Sequence, residues 1–114
     1  MKYMLLIHQN YTRDEVAALP EADQKALWAE WAAFSQTPGL TPGVELESAS
    51  AATTVRVSDG ETLITDGPFA QTKEALGGWF LLDADDLDAA IEVAARVPAA
   101  RRGGAIEVRP VVER

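Results

Sequence analysis

The chain has 114 residues, 47% of them hydrophobic and 25% charged, which suits one domain with a true core and excludes a disordered or fibrous class. Ten Lys and Arg against eighteen Asp and Glu leave a formal charge of -8; with no surplus of cations to displace counterions, direct nucleic-acid binding is not expected. Cys is absent, which removes disulfides, zinc–thiolate sites and thiol nucleophiles.

The opening run MKYMLLIH places Tyr3, Leu5 and Ile7 on one parity and Met4, Leu6 and His8 on the other. A short run that is apolar on both parities predicts a strand covered on both faces. It is far shorter than the roughly 20 residues of a membrane span and lacks the cleavage pattern of a secretory signal. A soluble, cytoplasmic protein with no membrane partner is therefore expected. Thr12 followed by Glu15 is a capping-box pattern opening a short turn through Ala18. Pro20 suits the first turn of a longer helix running to about Ser35, on which Leu27, Trp31 and Phe34 recur as one buried stripe. TPGLTPG ends that helix. Val44–Leu46, Thr53–Val57 and Thr62–Thr65 then read as strands, with Asp59-Gly60 the turn of a hairpin.

LGGWFLLD reads as a further strand, again apolar on both parities from Trp79 to Leu82. Asp85 is the expected cap of the next helix, with Asp86 and Asp88 near its positive end and Leu87, Ala90, Ile91 and Ala94 on its buried side. Val97-Pro98 closes that helix, and Gly103-Gly104 turns into a last strand, Ala105 to Val112. No repeat or linker interrupts residues 1–114, which read as a single domain.

This order predicts an α+β fold, a ferredoxin-like sandwich with an added hairpin. Two helices cover only one face of such a sheet, yet the strands at Met4–Ile7 and Trp79–Leu82 are apolar on both. A bare apolar face of that size is rare on a soluble monomer. The expectation is a homodimer packed sheet against sheet, covering roughly 800 Å² or more per subunit; the alternative is a monomer whose Pro- and Gly-rich loops fold over the sheet.

The string TDGPFAQTKEALGGWFLLDADDLDAAIEVAARVPAARRGGAIEVRPV, with MKYMLLI and ATTVRV–DG–ETLITDGPF before it, resembles the DGPF-type branch of the YCII-related family. The combination of DGPF, TKE, GG plus an aromatic residue, an acidic helix start and EVRP, in that order, carries the resemblance over nearly the whole chain. It is weakest between Gln9 and Ser50. The resemblance implies a dimeric α+β barrel. It also implies an activity that is unassigned for most members, a His–Asp pair in some relatives, and a dehydrochlorinase in the wider family. A link with alternative sigma factors, hence with transcription, is implied as well, although no sigma-factor segment accompanies this chain.

Several residues are candidates for chemistry. In Asp66-Gly67-Pro68-Phe69, Asp bonds nearby amides, Gly admits conformations closed to other residues and Pro fixes φ. The result is either a rigid turn pinned into the core by Phe69, or a turn that holds the Asp66 carboxylate at a pocket mouth as proton acceptor or ligand anchor. His8, the sole His, shares a parity with Met4 and Leu6; it is a proton donor or shuttle if that side encloses a cavity, and otherwise a structural or surface residue. Lys73 and Arg109 are candidate anchors for an anionic substrate group, against an ordinary loop ion pair and an interface pair respectively. Gly77-Gly78 marks a bulge or close backbone approach rather than a phosphate cradle. Trp79 and Tyr3 are core or cavity-wall candidates, Trp28 and Trp31 packing residues. No GxGxxG or Walker pattern occurs, and one His without clustered carboxylates makes a poor metal site, so neither cofactor nor metal is expected. Two functions follow: a cofactor-independent enzyme moving protons on a small molecule in an isomerisation or elimination, or a non-catalytic ligand-binding or regulatory module.

Overall fold

In the computed structural model, which describes residues 1–69 and 75–114, strand β1 (Lys2–Gln9) alternates sharply: Tyr3, Leu5 and Ile7 are buried, while Met4, Leu6 and His8 are half-exposed. Each buried side chain has neighbours facing the same way. β5 (Ala75–Asp83) runs antiparallel on one side and pairs Leu5 with Phe80 and Tyr3 with Leu82. β6 (Ala105–Pro110) runs antiparallel on the other and pairs Leu5 with Val108 and Ile7 with Ile106. A two-residue strand, β2 (Leu40–Thr41), adds to the outer edge of β5. The result is a four-stranded antiparallel sheet in the order β2-β5-β1-β6, in a mixed α+β chain.

Helices cover the Tyr3–Leu5–Ile7 face. Thr12 caps α1 (Arg13–Ala17), its hydroxyl accepting from the Glu15 amide at 3.1 Å. Pro20 stands just outside α2 (Glu21–Phe34) at the cap position, one residue earlier than its expected place in the first turn. Leu27 and Phe34 are buried, and Trp31 and Phe34 close on Phe80 of β5. Trp31 stacks on Phe80 at 6.3 Å between ring centres, and Phe34 meets it edge-on at 5.3 Å. These contacts fasten α2 to the sheet.

The third helix departs from expectation in phase. Asp86, not Asp85, caps α3 (Leu87–Ala95), accepting from the Ala89 amide at 2.9 Å. The buried stripe is Ala90, Val93 and Ala94, continued by Val97 after the helix ends, while Leu87 and Ile91 are each 49% exposed. Small side chains on the inner face let the helix lie close to the sheet, which the bulk of Leu87 and Ile91 would prevent. Val97 leaves the helix in extended geometry as expected, but Pro98 then opens a further short helix, α4 (Pro98–Arg101), because its missing N–H is harmless at a first position. The last strand stops at Pro110, two residues short of Val112.

The expected strand Val44–Leu46 is a single bridge, Glu45 to Gly78, since Pro42 and Gly43 immediately before it break the ladder. A short 3-10 turn, Ala49–Ala51, leads into the hairpin of β3 (Thr53–Ser58) and β4 (Glu61–Asp66), which forms a sheet of its own. Asp59 and Gly60 both take positive φ, 49° and 80°, as a two-residue hairpin turn matching strand twist requires. Val55, Val57 and Ile64 on this hairpin are exposed. Phe69 is too, at 74%; instead of entering the core it lies under the Arg56 guanidinium, 4.8 Å from the ring centre, because the hairpin does not rest on the core. Among the described residues no helix is long and apolar enough to cross a membrane.

Candidate functional site

A cleft of about 430 Å³ opens on the helical side of the sheet. Ile7 and Phe80 form its floor, Val16, Leu27 and Trp31 its helical wall, and the stretch from Gly43 to Glu45 its far rim. Trp28, expected as a packing residue, stands at the mouth and is 56% exposed. The far rim exists because of glycines. A Cβ on Gly43 would sit 1.8 Å from the Trp79 carbonyl oxygen, and one on Gly78 would sit 2.7 Å from that of Val44. With neither present, the rim backbone joins the edge of β5: Leu46 donates to the Gly77 carbonyl at 2.8 Å and Trp79 to that of Val44 at 3.3 Å. Gly77 is itself the extra residue of a bulge, since Ile7 pairs with Gly78 but His8 with Leu76. The glycine pair thus makes both a bulge and a close approach.

The polar groups of the cleft are mostly engaged. Gln24 donates to the Ala17 and Leu19 carbonyls at 3.2 and 2.9 Å, tying α1 to α2. Arg13 pairs with Glu45, Nε to Oε1 at 3.5 Å, and with Glu47. Tyr11 is not. Its hydroxyl is buried and meets no hydrogen-bond partner among the described residues. Burial, the largest influence, raises the phenol pKa above the ordinary 10.0. The Trp31 side chain and the Arg102 charge oppose that rise, and the Glu30 and Glu45 charges add to it. The indole N–H of Trp31 can only donate, so it cannot take the phenol proton. Among the described residues the phenol proton is therefore left without an acceptor.

Of the expected site residues, His8, Asp66 and Arg109 do not border the cleft. His8 sits on the opposite face of the sheet, its Nε2 3.7 Å from Glu107 Oε1. Arg109 shares that face and donates from Nε to Glu107 Oε2 at 2.8 Å. His8, Glu107 and Arg109 therefore form one row across β1 and β6. Asp66 ends β4 on the separate hairpin, exposed and in register with Thr53. Beside it Gly67 takes a φ of 102°; its amide donates to Ala52 at 2.8 Å and its carbonyl accepts from Thr54 at 2.7 Å, so the DGPF turn is stitched to the base of the hairpin. Lys73 lies outside the described residues. Tyr3 is core, at 1% exposure, and Trp79 is half-buried beside the cleft. Tyr11 was not singled out by spacing or motif; an aromatic residue directly before the Thr12 cap was the one available signal.

The family model of the YCII-related domain matches residues 1–114. An uncharacterised protein of Rhizobium meliloti (strain 1021) is 45% identical over 73 residues, a match that spans 63% of this chain and 59% of the relative's length.

Proposed function

The chain belongs to the YCII-related family, and on that premise we propose that it binds a small molecule in the cleft between α2 and the edge of β5. The observation that carries this reading is the cleft itself: about 430 Å³, walled by Trp31, Leu27 and Phe80, with few polar groups. Pockets that take small organic ligands are concave, mostly apolar and fixed by a handful of polar atoms. A thermal-shift ligand screen on wild type, Trp28→Ala and Asp66→Asn tests it. A ligand that stabilises wild type and Asp66→Asn but not Trp28→Ala supports the cleft. Loss of the shift in Asp66→Asn alone moves the site to the hairpin.

A second reading, acid–base catalysis of an isomerisation or elimination, is favoured by one observation: a carboxylate, Glu107, stands beside the sole His. That row lies on the open face with Met4, Leu6 and Leu81, and it gains an enclosed environment only if a second copy covers the face. The homodimer belongs to this proposal. The order β2-β5-β1-β6, with helices on one side, supports a ferredoxin-like protomer, and its uncovered half-apolar face supports pairing into a dimeric barrel. The radius of gyration, 16.1 Å, against roughly 13 Å for a closed domain of this length, reflects a hairpin that stands off its own core, which supports a role for it in pairing.

A further inference from the structure

From this cleft, and resting on its reading as a ligand site, we infer that Tyr11 donates its phenol proton to a carbonyl-type oxygen on an uncharged, flat aromatic ligand. Three observations lead there. A hydroxyl buried without an acceptor is costly and is seldom kept unless something else meets it; among the described residues the Tyr11 hydroxyl is such a group, and although it is closed to solvent where it stands, the residue borders the cleft, so a turn of the phenol brings it to a ligand there. The ligand is uncharged because the guanidinium at the site, Arg13, is already matched by Glu45 and Glu47, so an anion would meet no unbalanced positive charge. The ligand is flat because the helical wall and floor present a near-parallel aromatic pair, Trp31 over Phe80 with 17° between planes, and Trp28 stands exposed at the mouth. Ring faces of that kind favour stacking against another ring. Tyr11 also borders a smaller hollow with Asn10, Glu15 and Arg102, and the experiment must separate the two.

Two probes of nearly one shape do so. 2-Acetylnaphthalene carries the acceptor, and 2-isopropenylnaphthalene replaces its oxygen with a methylene group. Titration of each into wild type and Tyr11→Phe is followed through the indole N–H resonances of Trp28 and Trp31. Wild type should bind the ketone about fivefold more tightly than the alkene, the worth of one ordinary hydrogen bond. Tyr11→Phe should bind both as wild type binds the alkene. An unchanged alkene affinity shows that the variant keeps its cleft. A ketone preference that survives in Tyr11→Phe, or its absence from wild type, assigns the hydroxyl to the smaller hollow; the inference then falls while the cleft stands. Failure of both probes to move either indole resonance in wild type overturns the cleft reading, and this inference with it.

Discussion

The Glu107 carboxylate lies 3.7 Å from the His8 imidazole, across two strands whose registers bring Leu6 opposite Glu107 and His8 opposite Ala105. Arg109 holds the other carboxylate oxygen. All three side chains stay accessible, at 30% for His8, 41% for Glu107 and 67% for Arg109, so water screens their attraction. Pairs of this kind contribute about 0.2–1 kcal/mol. In a lone protomer Glu107→Gln should accordingly lower stability by less than about 1 kcal/mol in urea titrations at one fixed protein concentration. A loss above about 3 kcal/mol would place the row in a buried seam instead.

The open face itself makes a separate prediction. Leu81 stands opposite Met4 in the centre of the half-exposed surface, so a charge there leaves the protomer core untouched but opposes burial against a second copy. Sedimentation at micromolar concentration should give the mass of two chains for wild type and of one for Leu81→Lys, with far-ultraviolet dichroism preserved. Wild type sedimenting as one chain removes the homodimer.

At α3, two neighbouring aspartates separate a cap from a bystander. Asp86→Ala should cost about 1 kcal/mol, because the Ala89 amide loses its acceptor. Asp85→Ala, one residue outside the cap, should change the urea midpoint by less than half as much.

That one-residue shift shows what the chain's pattern makes legible. Period and punctuation locate β1, α2, the β3–β4 hairpin, β5, α3 and β6, through the parity of Tyr3, Leu5 and Ile7, the Leu27–Trp31–Phe34 stripe and the Asp59-Gly60 turn, but not β2 or α4. Phase on α3 was not legible, since Leu87–Ile91 and Ala90–Val93 are equally periodic and only contact with the sheet chooses between them. Nor was the cleft. Its floor comes from β1 and β5 and its wall from α2, and the rim depends on Gly43 meeting Trp79, a contact that no local spacing encodes. The rarity of DGPF marks Asp66, whereas Tyr11 has no motif and matters through what surrounds it.

Gly43 tests the rim. Any side chain there meets the Trp79 carbonyl at 1.8 Å, and backbone on both sides leaves nothing flexible to yield. Gly43→Ala should therefore push the rim off β5, breaking the Val44–Trp79 and Leu46–Gly77 hydrogen bonds. The expected cost is about 1–3 kcal/mol, with cleft ligands lost. Gly60→Ala offers the contrast: nothing lies within 4 Å of its added Cβ, so it suffers only its positive φ, at about 1–2 kcal/mol, and retains ligand binding.

Tyr11 imposes a pH dependence of definite sign. Burial raises its folded pKa above 10.0, so the native chain keeps the phenol proton after the unfolded chain has released it. In that window the unfolded state binds fewer protons, and stability falls as pH rises. The contribution is fully present below about pH 10 and is lost as pH climbs through the folded pKa. Tyr11→Phe has no such proton. Urea midpoints measured from about pH 8 to pH 11 should run parallel for the two proteins at the lower end, then diverge as wild type declines more steeply. Tyr3 is present in both and cancels. At neutral pH, removing a buried hydroxyl that lacks a partner should leave Tyr11→Phe at least as stable as wild type. Parallel curves throughout would mean that the phenol is hydrated in solution, and that its oxygen is not enclosed at the cleft wall.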